Sequence, residues 1–320
     1  MNNKNQNISD RYDRQQRIKG WNQNTLLNSR ILVAGAGALA NEYIKNIALT
    51  GIGHIFVIDF DHIEASNLNR TVLFHDSDIL KQKAETIAGA VKRINSDIDI
   101  RYMNADLLYD IGMGFYRHVD LVVGCLDNLY TRAHVGICCS LTGTPYLDGG
   151  MWAMGGEVRW FLPGQDICFD CTLNSEDRKR AYERRSCSGF KIHEVSDIEA
   201  SNVSTTSVIG GIMSHETVKY LSGWDVAGSE AIVYNGLNMT MHKSILSGNP
   251  DCSYHSPYPD IIELDYCASE LKVKDLFELN KKFSKDSNEE PVLELNRDFY
   301  IILNADHAVQ NKKLIKFLQK

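Results

Sequence analysis

Ile31-Leu32-Val33-Ala34-Gly35-Ala36-Gly37-Ala38-Leu39-Ala40 and, a short way downstream, His54-Ile55-Phe56-Val57-Ile58-Asp59 decide the fold. The first four residues form a short apolar run stopped by glycine, which reads as a parallel strand buried on both faces. Residues 38–50 then carry helical spacing, and Gly51-Ile52-Gly53 closes that helix. The second apolar run ends in a carboxylate, so the whole stretch is a strand–helix–strand unit. Working outward, a helix over 80–94, strands at 98–103 and 120–124 and a helix over 129–141 continue the alternation. That order predicts an α/β, Rossmann-like, doubly wound and mostly parallel sheet whose ligands sit at the C-terminal ends of the strands.

Beyond Gly155 the pattern changes. Residues 157–162 read as a strand, 168–190 as a polar, irregular loop region, 207–221 as an amphipathic helix, and 231–234 with 239–246 as a strand pair. Pro257-Tyr258-Pro259 opens a charged linker into a small appendage containing a helix at 273–283 and a strand at 299–303. The expected organisation is a disordered, Asn-rich start (1–10), a main domain (11–256) and a small C-terminal α+β appendage (257–320). The chain has 320 residues, 43% of them apolar, and a net charge of −7. That balance argues against a nucleic-acid partner, which requires clustered Lys and Arg. No apolar run is long enough to span a membrane and the start lacks a signal-peptide core, so a cytoplasmic protein is expected. Eight cysteines in such a chain read as metal ligands, a nucleophile and buried small hydrophobes before they read as a disulfide framework.

Gly35 to Ala40 is a G-x-G-x-x-A turn between strand and helix, where backbone N–H groups and the helix N-terminus offer an anion site. Asp59 falls where a carboxylate would accept hydrogen bonds from a ribose hydroxyl. Those residues alone suit NAD as well as ATP, and a packing turn without a ligand also fits. The residues that follow favour ATP. Asp61, Ser66-Asn67-Leu68-Asn69-Arg70, Lys83 and Gly124-Cys125-Leu126-Asp127-Asn128 lie at or near the expected ligand edge. Hydride transfer has no use for so many charges, whereas carboxylate attack on an α-phosphate must neutralise charge building on phosphorus and pyrophosphate. Arg70, Lys83 and a metal held by Asp127 would supply that neutralisation.

In order along the chain, Arg11-Tyr12-Asp13-Arg14-Gln15, the glycine loop, Ile58-Asp59-Phe60-Asp61, Ser66 to Arg70, Lys83 and Leu126-Asp127-Asn128 resemble the ThiF/MoeB/HesA family of ubiquitin-activating-like enzymes. The resemblance covers roughly residues 11–255. It implies ATP and magnesium as cofactors, Gly35 and Gly37 in the phosphate loop, and Asp59, with Asp61 beside it, at the ribose. It also implies Asn67, Arg70 and Lys83 at the phosphates and Asp127 on magnesium. Arg14, which from the residues alone reads as a surface ion pair, is implied to reach the active site of a second subunit, and hence a homodimer. Two departures stand out: Ala38 and Ala40 replace glycines common in the loop, and Thr71 replaces a common glutamine. Ala40 suits close helix packing, while the Ala38 methyl bears on how the turn approaches phosphate.

Cys168-Phe169-Asp170-Cys171 and Cys252-Ser253-Tyr254-His255 pair a C-x-x-C with a C-x-x-H. Together they are able to build a closed, structural Cys₃His zinc site. The resemblance points the same way, except that its second pair is usually C-x-x-C. A redox pair is the competing reading, and His242 an alternative fourth ligand. Cys187, in Arg184-Arg185-Ser186-Cys187-Ser188, has two arginines to lower its thiol pKa and is the candidate for a covalent acyl intermediate. Cys125, Cys138 and Cys139 read as core. The function expected is adenylation of the C-terminal carboxylate of a ubiquitin-like sulfur carrier or modifier, or of a peptide ending in glycine. The alternatives are an adenylating enzyme of a peptide natural-product pathway, a non-catalytic heterodimer partner and, more distantly, an NAD-dependent oxidoreductase.

Overall fold

The computed structural model describes residues 11–182, 201–226, 228–252, 254–258, 261, 270–272, 274–276, 278–279, 293–295 and 301–303. Two short helices, α1 (Asp13–Gln16) and α2 (Gln23–Asn28), precede β1 (Arg30–Ala34), α3 (Ala38–Thr50), β2 (His54–Ile58), α4 (Lys83–Ile94) and β3 (Asp99–Met103). Then come α5 (Gly114–Arg117), β4 (Leu121–Gly124), α6 (Leu129–Thr142), β5 (Tyr146–Trp152), β6 (Gly155–Phe161), α7 (Ser175–Tyr182), α8 (Val203–Leu221), β7 (Glu230–Asn235) and β8 (Thr240–Ile245). The strands form one eight-stranded sheet in the order β3-β2-β1-β4-β5-β6-β7-β8.

Pairings from β3 to β5 are parallel and those from β5 to β8 antiparallel. The sheet is therefore mixed: four of its seven pairings are parallel, a narrower majority than the first half of the chain suggested. Parallel pairing lasts as long as helical crossovers α3, α4 and α6 separate the strands; tight turns after β5 and β7 make antiparallel pairs, and β7 returns antiparallel beside β6 after the long segment that holds α7 and α8. β5 itself has no counterpart in the sequence reading. Its residues Asp148, Gly149 and Gly150 interrupt the apolar run, although all three are buried. α4 begins at Lys83, not near residue 80, because Leu80 has a φ of 71° and its N–H bonds back to Ile63. Within 168–190, expected to be irregular, α7 occupies Ser175–Tyr182.

One core lies between the sheet and α3, α4 and α8, and a second between the other face and α6, with Tyr146, Phe161 and Phe169 at its centre. Cys125, Cys138 and Cys139 are buried, as the sequence suggested. The chain divides into two compact units, Met1–Tyr182 with Glu194–Tyr258, and Glu183–His193 with Pro259–Lys320. In the second unit, β9 (Leu293–Leu295) and β10 (Ile301–Leu303) pair antiparallel, and 274–276 and 278–279 are helical. Residues 1–10 and the rest of the expected 273–283 helix lie outside the described residues. Among the described residues, no helix is long and apolar enough to cross a membrane.

Candidate functional site

β1 ends where the glycine loop must turn sharply over β4. Gly35 has a φ of +95°, and a Cβ there would lie 2.6 Å from the Cys125 carbonyl oxygen. Glycine is required at that point on both counts. Gly37 differs: it caps α3, and a Cβ there would meet nothing within 4 Å. The space in front of the helix N-terminus is thus open, as an anion site needs. Ala40 is fully buried, in keeping with close helix packing.

Asp59 follows β2. Its carboxylate accepts from the Ala36 N–H at 2.7 Å and from the Asp61 N–H at 2.7 Å, fastening the turn after β2 to the glycine loop. Burial pushes its pKa up, against the opposing pull of Lys83 and those N–H donors, and the net shift is upward. Lys83 opens α4 and donates to Asp61 at 2.7 Å, its own side chain only 13% exposed. Asn67 accepts from the Glu64 N–H through its side chain, and Arg70 donates to the Ser66 carbonyl and the Asn69 side chain. Both therefore sit on one compact turn. Asp127 is exposed beyond β4 with no hydrogen-bond or ion-pair partner among the described residues, while Asn128 caps α6 through the Thr131 N–H. The loop, Asp59, the β2–α4 connection and Asp127 thus all belong to the C-terminal edge of β1, β2 and β4.

Asn41 escaped the sequence reading. Fully buried, it donates to the Gly37 carbonyl and accepts from the Leu73 N–H at 3.0 Å, tying the glycine loop to the segment after Arg70. A lone amide on the apolar side of α3 was the available signal.

Arg14 lies elsewhere. Its neighbours Tyr12 and Gln15 dock at the far end of α3, where Tyr12 packs on Gly51 and Gln15 donates to the Thr50 carbonyl at 2.7 Å. Arg14 is exposed and has no partner among the described residues. At 1.5 Å per residue, α3 separates it from the glycine loop by roughly 18 Å, beyond the reach of an arginine side chain.

The cysteine pairs converge. Cys168 Sγ lies 3.8 Å from Cys171 Sγ and 3.7 Å from Cys252 Sγ, Cys171 Sγ lies 3.4 Å from His255 Nδ1, and all four donor atoms fall within 4.8 Å of one another. Two thiolates about 2.3 Å from a tetrahedral zinc are about 3.8 Å apart, so the donor set fits that ion in both chemistry and spacing. His242 is on β8, outside the group. Cys187 lies outside the described residues.

The ThiF family signature matches residues 12–254. The chain belongs to the ThiF family. It is 28% identical over 249 residues to the molybdopterin-synthase adenylyltransferase of Escherichia coli, covering 76% of this chain and 94% of that protein. It is 37% identical over 166 residues to the NEDD8-activating enzyme E1 catalytic subunit of Caenorhabditis elegans, covering 48% of this chain and 38% of that one. Its match to the SUMO-activating enzyme subunit 2 of Dictyostelium discoideum spans only 22% of that protein, so the chain corresponds to a minor part of the E1-type relatives. In fold it is similar to E. coli MccB crystallised with AMPCPP and MccA, at a TM-score of 0.62 and 23% identity over 78% of this chain and 75% of that one. Family membership leaves the oxidoreductase reading without support.

Beneath the edge of this ThiF-family sheet lies an ionic cluster that the sequence did not reveal. Asp148, fully buried on β5 opposite Gly124, accepts from Arg132 at 3.0 and 2.6 Å, from Arg159 at 3.1 and 2.8 Å and from the Tyr146 hydroxyl at 3.0 Å. The Arg159 guanidinium sits 4.7 Å over the Phe169 ring, inside the first cysteine knuckle, and donates to Thr172. The cluster therefore links the ligand edge to the cysteine group through the core.

Proposed function

We propose that the chain is an adenylyltransferase that activates the C-terminal carboxylate of a ubiquitin-like or sulfur-carrier protein. The observation that carries this reading is the grouping, at one sheet edge, of an open N–H loop, Asp59, the cations Arg70 and Lys83 and Asp127, which has no partner among the described residues. ATP lies with its phosphates on the Gly35 to Ala38 turn and its ribose on Asp59, with Asp61 behind it. A carboxylate oxygen of the substrate attacks the α-phosphorus, the bond from that phosphorus to the bridging oxygen breaks, and pyrophosphate leaves. Asn67, Arg70 and Lys83 hold the phosphates and offset the charge that builds on them. Asp127 would hold magnesium, whose chemistry is charge neutralisation at the phosphate oxygens. Lys83 must exchange part of its bond to Asp61 for phosphate, so this ion pair also keeps its ammonium aimed at the site before ATP arrives.

The resemblance implies that Arg14 reaches the site of a second copy, and the docking of its turn at the end of α3 far from the glycine loop of its own chain supports that assignment. This makes the active unit a homodimer with composite sites. The exposed edge strand β8, with Met239 in the preceding turn and Met241 and Ile245 on the strand all open to solvent, suits a protein substrate better than a small molecule. The fold it shares with MccB, a microcin C7 biosynthetic enzyme also crystallised with N-formylated MccA, supports a second reading in which the substrate is a peptide. Cys187 is proposed as the later acyl acceptor.

The test is ATP–pyrophosphate exchange with purified protein and carriers ending in Gly-Gly. Carrier-dependent exchange, lost in Asp127→Ala and kept in Cys187→Ala, is the expected result. Absence of exchange with every carrier tried overturns the carrier reading and favours the peptide. A second prediction concerns zinc, which Cys168, Cys171, Cys252 and His255 would hold in a closed, structural site. Metal analysis should find about one zinc per chain, and Cys168→Ser should lose it together with several degrees of Tm. A folded, metal-free wild-type protein of unchanged Tm would exclude the assignment.

A further inference from the structure

At the opposite end of the central strands from the glycine loop, a cavity of about 450 Å³ opens on one face of the sheet. Its floor is two rungs of registered neighbours, Arg30–His54–Asp99 and Leu32–Phe56–Arg101, which run across β1, β2 and β3. The wall is Phe115 of α5, whose ring stands 5.4 Å from that of Phe56. The cavity exists because α5, the only helix described between β3 and β4, is a single turn of four residues and leaves this face partly uncovered. Its volume is in the range of small-molecule sites.

The charges at this end come from Arg30 and His54, the first residues of β1 and β2, and from Asp99 and Arg101 on the edge strand β3. Asp99 is engaged by Arg101 at 3.2 Å and by His54 at 3.3 Å. The side chain of Arg30 has no partner among the described residues, while its backbone N–H donates to the Asp120 carboxylate and its carbonyl accepts from the Asp120 N–H. The mouth therefore carries a guanidinium with no partner among the described residues, set beside Leu32 and two tilted aromatic rings, with the Asp120 carboxylate held on the Arg30 backbone.

We propose that this cavity binds an amphipathic organic anion, its planar apolar body packed against the adjoining Phe56 and Phe115 rings and its sulfonate, carboxylate or phosphate on Arg30. The site is separate from the proposed adenylation chemistry and stands whether or not that reading holds. Aromatic stacking on the ring pair and a charge-assisted bond to Arg30 supply the recognition.

The probe is anilinonaphthalene sulfonate, titrated by fluorescence into the full chain with and without ATP. Two variants separate this site from others. Arg30→Glu reverses the charge at an exposed position. Gly114→Phe fills the cavity from its wall, where a Cβ meets no atom within 4 Å and the backbone is unstrained. Binding of one probe per chain that is indifferent to ATP, weakened at least about tenfold by Arg30→Glu and abolished by Gly114→Phe at unchanged circular dichroism and Tm is the expected result. Displacement of the probe by ATP, equal binding by both variants, or no saturable binding overturns the proposal.

Discussion

Replacing Asp148 by alanine is expected to destabilise the protein by about 3–5 kcal/mol, the cost of removing one partner from a buried ion cluster. The carboxylate is fully buried and the two guanidinium groups it holds are 15% and 9% exposed, so neither arginine can turn to water without repacking β6 or α6. At roughly 2–4 °C per kcal/mol for a chain of this size, the loss in Tm is about 10 °C. Joint replacement of Asp148, Arg132 and Arg159 by apolar residues should recover part of it, because no uncompensated charge is then left inside. A variant as stable as the wild type would show that the cluster is already hydrated.

The same cluster fixes a pH signature. Burial alone would raise the Asp148 carboxyl, but Arg132 and Arg159 outweigh it and hold the group down at about 2. For an acid whose folded-state value is depressed, the stabilisation is present above the unfolded value near 3.9 and is lost as pH falls through the folded one. The contribution is on the order of 2 kcal/mol. Chemical denaturation of wild type and Asp148→Asn should therefore show a gap that is constant from neutral pH down to about 5 and closes between about 4 and 2.

Why β5 was invisible in the sequence is the same physics. Asp148-Gly149-Gly150 breaks the apolar run that marks a buried strand, because a carboxylate and two glycines seldom occupy a central strand. Here two arginines distant in sequence satisfy the carboxylate. A Cβ on Gly149 would strike Met213 and Leu39, and one on Gly150 would strike Arg132. Such requirements are set by tertiary neighbours and leave no local pattern. β1, α3 and β2 were legible for the opposite reason: their apolar periodicity and the glycines that end them are local. The two cysteine knuckles were readable separately by spacing, but only the fold carries Cys252 to Cys168 across 84 residues. Arg14 shows the limit of such reading. An exposed arginine has no sequence signal of its own, and its assignment rests on the resemblance together with the docking of Tyr12 and Gln15 at the far end of α3.

Lys83→Ala is expected to lower the rate of adenylate formation by about 10² to 10³ while leaving folding almost unchanged. Folding is spared because the partner left behind, Asp61, is 48% exposed and water replaces the lost ammonium. Catalysis is not spared, since a charge held in place before ATP binds costs no reorganisation when the α-phosphate is attacked, whereas water must reorient. A second readout separates this role from a merely structural one. Asp59 is already raised by burial, and Lys83 is the largest influence pulling it down. A raised acid is protonated at higher pH than in solution, so ATP affinity that needs ionised Asp59 falls as pH drops through that raised value. Without Lys83 the value rises further. The acid limb of ATP binding should therefore move to higher pH in Lys83→Ala and return toward the wild-type position in Lys83→Arg, which restores the charge. Calorimetric titration of ATP across pH 4 to 8, a span chosen about the carboxylate range, reads it directly. An acid limb at the same pH in all three proteins would mean that Lys83 does not act on Asp59, and an unchanged turnover in Lys83→Ala would remove it from the phosphate site.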